Sequence, residues 1–404
     1  MNDSVNRLTT PLSPEFLANP LPTYAFLRTN QPVSPVALPD GGRAWLVTRY
    51  DDVRKGLSDP RLSNDQTRLR VSTPFDALPV AVRPAIVGDV QNLDPPDHTR
   101  IRRLLAPVFS AQAAERMRPR LVALAGELID SFGDRPQVDL VAEYAAPFAG
   151  RSLAEICGIP ADQHEHFQSL ANAVVTAIHG GTPDALVAPA LELYEYIESL
   201  CADREAHTGE DLLSALVREH KDGHLSRPEL TSTIFGLLNA GQEGTANLIG
   251  NGLHLLLTHP AELTRLQADP QLLPSAVEEF ARYTAPLDLP IFRSSEKDTQ
   301  FAGTAVPAHE PIMFSLLSAG HDESRFDKPA QLDIGRADNH HLAFGRGTHF
   351  CPGAPLARVQ VQVAIGELLA RTGSALRLAV AADQIVPRTS VVTRALAALP
   401  CLIS

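Results

Sequence analysis

From Leu230 to Thr258 the chain keeps a helical pattern almost without a break, about 29 residues or on the order of 43 Å at 1.5 Å per residue. A rod of that length sets the scale of any fold that contains it. Further helical patterns surround it at Ile101–Phe109, Ala111–Phe132, Val138–Cys157, Gln163–Ile178, Ala185–Ala202 and Asp211–Glu219, and a last helix follows Cys351. The Asp94-Pro-Pro-Asp97 turn supplies a candidate N-cap for the first of these. Extended pieces are few. Val33–Thr48, with its Asp40-Gly-Gly turn, predicts a hairpin; Pro290–Ser294 and Pro311–Leu317 read as short strands, and Val386–Ile403 as a terminal hairpin. The fold class is therefore mainly α with minor β. At about 150 residues per domain the length allows two or three domains. No repeat, linker or composition shift marks a boundary, so residues 1–404 read as a single domain.

Composition excludes several functions. With 35 Lys and Arg against 47 Asp and Glu the net charge is −12, a poor match for nucleic acid. The four cysteines, Cys157, Cys201, Cys351 and Cys401, form no CxxC pair, which argues against a Cys-based zinc site or a disulfide framework and fits a reducing cytoplasm. The longest apolar run, Ala395–Ile403, is about half a membrane span and contains Pro400. The N-terminus shows neither a basic nor an apolar leader segment. A cytoplasmic protein with no membrane span is expected.

Four short strings carry chemistry. In Phe344-Gly-Arg-Gly-Thr-His-Phe-Cys351-Pro-Gly353-Ala-Pro-Leu-Ala-Arg358, glycines 345 and 347 permit a tight turn and close approach to a flat partner. Cys351 stands just ahead of a helix, where free amides favour a thiolate, and a thiolate held so is a good axial ligand for haem iron. Alone, such a cysteine is as readily a small buried hydrophobe. Glu279-Phe-Ala-Arg282 places a carboxylate and a guanidinium on one helix face, which by itself describes a surface ion pair. His98 and Arg102, at i and i+4, describe either a solvated basic helix end or a pair of donors for buried carboxylates. Ala240-Gly241-Gln-Glu243-Gly244-Thr245 puts glycines and an acid inside the long helix, suggesting a close approach or kink together with proton handling or a satisfied buried pair.

Taken together and in this order, the four strings resemble those of the cytochrome P450 haem-thiolate monooxygenases, a resemblance that covers nearly the whole chain. It implies the single-domain, triangular-prism cytochrome P450 fold, with haem b (iron protoporphyrin IX) between the long oxygen-binding helix and the helix after the Cys loop. Cys351 is then the iron ligand. His98, Arg102, Arg293 and His349 serve the haem propionates, and Phe344, Gly345, Gly353, Ala240 and Gly241 line the haem, while Arg100 and Arg103 stay on the surface. Glu279 and Arg282, joined by an Arg from the segment 326–336 with Arg336 the choice, brace the Cys loop. The resemblance further implies insertion of one oxygen atom from O2 into a hydrophobic substrate, by hydroxylation or epoxidation.

One position departs from the family. Aligning Glu243 with the family's acid puts Gly244 where the oxygen-activating threonine normally stands, and Thr245 at the following, usually structural, position. Ordered water or a substrate hydroxyl is then expected to complete a relay from Glu243; Thr245 rotated in by a helix bulge, or use of peroxide, are the alternatives.

No flavin, nicotinamide, Walker or zinc-protease motif is present in the sequence, so electrons are expected from outside the chain, and the family resemblance implies that a ferredoxin and its NAD(P)H-dependent ferredoxin reductase supply them. Arg103, Arg346 and Arg358 are either a docking face for that acidic donor or ordinary surface arginines. His340, His341 and His349 match no familiar metal-ligand spacing. The segments that contact substrate in the family hold Phe75, Val87, Val90, Ile178, Phe235, Leu238, Leu287, Leu289, Ile291, Val391 and Val392, an apolar set that suits a terpenoid, polyketide, fatty-acyl or aromatic compound. Arginine in excess over lysine, with abundant Ala, Leu and Pro, hints at a GC-rich bacterial genome and at secondary metabolism. A monomer is expected. Rival readings are a peroxide-using or oxidative-coupling haem-thiolate enzyme, and a non-catalytic haem sensor.

Overall fold

The long helix starts three residues before its apolar pattern, at Arg227, and ends at Thr258. Ser226 Oγ accepts from Glu229 N while the Glu229 carboxylate accepts from Ser226 N, a reciprocal cap on two end amides. Pro228 sits in the first turn, where its missing N–H is not needed. Buried residues occur on every side of this helix, Ile234, Phe235, Leu238, Leu248, Ile249, Leu253 and Leu256 among them, so it runs through the interior rather than over it.

The computed structural model describes residues 13–38, 42–68, 74–180, 183–207, 209–289, 292–388 and 390–403. Around the long helix pack Arg83–Val87, Ala146–Cys157, Leu273–Thr284 and Ala354–Thr372, and the last of these lies against Ala111–Asp130. Other expected helices appear with shifted ends, as Asp97–Leu105, His164–Gly180, Pro183–Ala206 and Leu212–Lys221. The first is capped at Pro96 without a side-chain bond, so neither Asp94 nor Asp97 is its N-cap.

Val33–Ala37 and Arg43–Val47 pair antiparallel as the hairpin reading requires, although residues 39–41 of its turn lie outside the described residues. Arg43–Val47 pairs on its other side, in parallel, with Ile312–Phe314. Two readings are corrected. Val138 is not helical: Gln137–Asp139 is a strand, and helix begins only after a π-turn over Val141–Ala145. Val386–Ile403 is not a hairpin, because its last strand, Pro400–Leu402, pairs with Gln137–Asp139 and Arg377–Leu378 instead. Those partners are remote in sequence, and a local pattern carries no sign of them. Among the described residues, the segment folds on itself at the bridge between Pro387 and Leu396, where Arg388 N donates to Ala395 O (2.8 Å) and Ala397 N to Val386 O (2.9 Å). One apolar core fills the helical body and a second fills the space around the Ile312 sheet. No helix among the described residues is long and apolar enough to cross a membrane.

Candidate active site

The loop ahead of Ala354–Thr372 folds back on itself. Cys351 N donates to Phe344 O (2.9 Å) and Gly345 N to Leu342 O (2.7 Å). Gly345 and Gly347 both adopt left-handed backbone, at φ +72° and +73°, and a Cβ on Gly347 would stand 2.8 Å from Leu57 O. Burial pushes the Cys351 thiol up, while the N–H groups of Gly353 and Ala354 and the guanidiniums of Arg102 and Arg358 pull it down. Cys157, Cys201 and Cys401 sit in the core instead, their thiols pushed up to about 12 by burial.

Behind this loop, the fully buried Glu279 collects five donors. Arg282 reaches it with Nε (2.7 Å) and Nη2 (2.8 Å), Arg336 with Nε (3.1 Å), Asn339 with Nδ2 (3.0 Å) and Asp333 with its backbone N (3.0 Å). Arg282 Nη1 donates to Gly320 O and Pro329 O. The knot thus ties the helix Leu273–Thr284 to residues 320–339, the stretch that delivers the chain to the Cys loop.

In front of the loop lies a cavity roofed by the long helix. Cys351, Phe344, Gly345 and Gly353 form its floor, and Ala240, Gly241, Gly244 and Thr245 its roof. His98, Arg102, Arg293 and His349 all line it, and no Asp or Glu does so among the described residues. Arg102 donates to Phe350 O (2.8 Å), and Arg293 to Leu57 O (2.8 Å) and Gly56 O (3.2 Å). The rings of His98 and His349 lie 4.2 Å apart, and His98 Nδ1 is buried with no hydrogen-bond partner. Burial, then the neighbouring His98, Arg293 and Arg102, lowers His349 to about 3; burial lowers Arg293 to about 10. This is a site with an unmet demand for anions beside a sulfur ligand, between two helices lined with small residues. A flat, iron-bearing ring with two carboxylates fits that donor set.

Glu243 does not line this cavity. Its carboxylate accepts from Arg388 Nη2 and from Thr393 Oγ1 (3.4 Å), and it borders a second, smaller cavity with Gln242, Asn247 and Arg388. Gly244 faces the main cavity with room to spare: a Cβ there would meet only Leu287 Cδ1, at 3.9 Å. Thr245 Oγ1 donates to Gln360 Oε1 (3.4 Å), and Gln360 Nε2 donates to Ser152 Oγ (2.6 Å).

Of the apolar set, Val90 and Leu287 line the cavity. Phe235 and Leu238 do not; they point well round the long helix into the main core. Leu289 belongs to the second core, with Val391 packed against it, while Phe75, Val87 and Ile178 pack against the first. Val392 contributes its carbonyl, which accepts from Asp288 N (2.9 Å) and Leu289 N (3.3 Å), and Ile291 lies outside the described residues. The lining has members that apolar patterning misses, among them Asn64, Gln91, Thr233, Leu237 and Gln360. Arg388, the partner of Glu243, was missed too, and nothing in its neighbourhood marks it. Arg103 and Arg346 are exposed, whereas Arg358 is held by Glu278 (2.6 and 2.8 Å), which also accepts from His341 Nε2 (3.1 Å), so Arg358 is not an open docking cation.

Comparison with known proteins places this geometry in context. The family model described as Cytochrome P450 matches residues 184–373. Cytochrome P450 107B1 of Saccharopolyspora erythraea is 38% identical over 382 residues, covering 93% of each chain. The 6-deoxyerythronolide B hydroxylase of the same organism is 37% identical over 385 residues, covering 94% of each. Among solved structures, the tirandamycin C-bound P450 monooxygenase TamI superposes with a TM-score of 0.91 at 36% identity, covering 98% of this chain and all of that one.

Proposed function

The chain belongs to the cytochrome P450 family, so it is a haem-iron monooxygenase served by redox partners, and on that premise we propose that it hydroxylates or epoxidises a mainly hydrophobic small molecule of bacterial secondary metabolism. The observation that carries this reading is the convergence of Cys351, His98, Arg102, Arg293 and His349 on one cavity without a lining carboxylate. Cys351 would hold the iron of haem b and the four cationic or donor side chains its propionates, with Phe344, Gly345 and Gly353 below the ring and Ala240 and Gly241 above it. Bound there, the haem supplies reductive activation of dioxygen. Relatives named 6-deoxyerythronolide B hydroxylase, Mycinamicin IV hydroxylase/epoxidase and polyketide biosynthesis cytochrome P450 PksS support this reading.

The chain's own residues shape the rest. Gly236, Ala240, Gly241 and Gly244 keep the roof free of bulky side chains, which leaves space for substrate close to the floor. Leu237, Leu287 and Val90 exclude water from the walls. Glu243 is held by Arg388, so protons reach the cavity from it only through water beside Gly244 or after that pair opens. Thr245, Gln360 and Ser152 form a second polar line into the roof. Glu279, Arg282 and Arg336 hold the Cys loop in place. A ferredoxin with its NAD(P)H-dependent reductase supplies electrons to a monomer.

The test is twofold. The reduced protein should give the thiolate-type carbon monoxide spectrum, and Cys351→Ser should abolish it. NAD(P)H consumption should then require ferredoxin and reductase and yield oxygenated product. A peroxide-using or oxidative-coupling enzyme is the second reading, favoured by the absence of any hydroxyl at Gly244. Product formation with peroxide alone, at the rate of the full electron chain, would select it.

A further inference from the structure

Threonines inside helices usually bond their hydroxyl to the carbonyl one turn back. Five among the described residues do: Thr29 to Ala25 O (3.1 Å), Thr231 to Arg227 O (3.1 Å), Thr258 to His254 O (2.8 Å), Thr284 to Phe280 O (2.8 Å) and Thr372 to Leu368 O (2.7 Å). Thr233 does not. It is 1% exposed, it lines the main cavity, and its Oγ1 has no hydrogen-bond partner. Asn64, 2% exposed, lines the same cavity and is in the same condition. Its Nδ2 donates to Gln91 O (3.1 Å), which fixes the orientation of the amide because a carbonyl can only accept. Asn64 Oδ1 is thereby left as a buried acceptor without a donor.

Of these two atoms, Asn64 Oδ1 cannot serve the haem carboxylates. An ionised carboxylate only accepts, and so does Asn64 Oδ1. They belong to a wall where residues 88–92 pack on the long helix: Ser232 Oγ donates to Gly88 O (3.0 Å), and Gly236 lies against Asp89 so closely that a Cβ would stand 2.8 Å from it. Gln91 lines the cavity beside them. In an otherwise largely apolar lining, an unmet acceptor and an unmet hydroxyl read a ligand that brings a donor.

Resting on the monooxygenase reading above, we propose that the substrate is an alcohol: a hydrocarbon skeleton bearing at least one hydroxyl group that Asn64 Oδ1 accepts from and that Thr233 Oγ1 pairs with. The two residues then determine specificity. They select already oxygenated molecules over bare hydrocarbons, so a reaction that leaves or installs a hydroxyl, such as ketone reduction or an earlier hydroxylation, must come before this enzyme.

The test uses the holoenzyme, after its thiolate-type carbon monoxide spectrum has been recorded, and three ring probes: cyclododecane, cyclododecanone and cyclododecanol. Dissociation constants come from ferric difference spectra. A plain apolar cavity prefers the hydrocarbon, since burying an unpaired hydroxyl is unfavourable. The proposal requires the reverse, with cyclododecanol bound about tenfold tighter than cyclododecane and the ketone in between. Thr233→Val should bring the alcohol's advantage down severalfold while leaving the affinity for cyclododecane within about twofold, and Thr233→Ser should restore the advantage. Equal binding, tighter binding of cyclododecane, or an alcohol that does not bind overturns the proposal, as does a Thr233→Val variant with the wild-type preference. Absence of the thiolate spectrum in wild type is a different result, which overturns the haem-thiolate site itself.

Discussion

Replacing Glu279 by Gln should destabilise the protein far more than any surface substitution, and the structure says by how much. The Glu279 carboxylate is wholly buried and is the counter-charge for Arg282, itself 0% exposed, and for Arg336. Glutamine keeps the shape and one acceptor but removes the charge, stranding a buried guanidinium whose remaining bonds are to the neutral carbonyls of Gly320 and Pro329. Breaking a buried pair from one side costs about 3–5 kcal/mol. At ~2.1 cal/mol/K per residue the unfolding entropy of 404 residues is roughly 0.85 kcal/mol/K, so the melting temperature should fall by about 4–6 °C. Differential scanning calorimetry of the matched holoproteins measures it. The double variant Glu279→Leu with Arg282→Met removes both charges and should be less destabilised than the sum of its single changes. A single variant within 1 °C of wild type, or a double variant at the full sum, would refute the claim that this knot is an electrostatically closed unit.

Four other outcomes are expected. Gly244→Ala should raise stability by about 0.5–1 kcal/mol, because its methyl meets only Leu287 at 3.9 Å and the helix loses a flexible residue, whereas Gly320→Ala should be destabilising by roughly 1–3 kcal/mol, since its methyl would stand 2.4 Å from Arg282 O; urea midpoints decide both. Asp89, buried and raised to about 7 by that burial, makes stability fall as pH rises from about 4 to 7; its carboxyl lies against Gly236 of the long helix and accepts from Gln91 N (2.7 Å) and Asn92 Nδ2 (3.4 Å). Asp89→Asn should remove that slope, at most on the order of 4 kcal/mol, so melting temperatures of variant and wild type should converge at about pH 4 and separate at pH 8. Arg388→Met should lower the yield of product per NAD(P)H severalfold without changing substrate affinity, if Glu243 acts through its pair with Arg388; a parallel loss of affinity would reassign Arg388 to substrate binding.

The floor of the site was legible because its parts are local. The turn through Gly345 and Gly347, the thiol ahead of a helix start, and the i,i+3 pair of Glu279 and Arg282 each lie within a few residues of sequence, where the family resemblance could read them as strings; spacing alone describes Glu279 and Arg282 as a surface pair, and their complete burial comes from packing. The long helix was equally plain, and its extra turn follows from the Ser226 and Glu229 cap. The walls were not legible, since they are assembled from Asn64, from Val90 and Gln91, from Leu287 and from the long helix, four stretches that only tertiary packing brings together. Glu243 and Arg388 are 145 positions apart, so the turning of that acid away from the main cavity had no local sign.

The face of the long helix was harder still, because a helix buried all round carries no amphipathic stripe to mark its cavity side. Choosing its bulky apolar residues therefore picked Phe235 and Leu238, which fill the core. A different signal was present. Gly236, Ala240 and Gly244 recur every four residues, and with Gly241 they form one strip of small side chains where something other than protein must come close. That strip orients the whole helix: Thr233, Leu237 and Leu248 fall on its side and line the cavity, while Phe235 falls on the opposite one. In a wholly buried helix that borders a ligand, the position of the smallest side chains tells which face is functional, and the largest ones mark the face that is only packed.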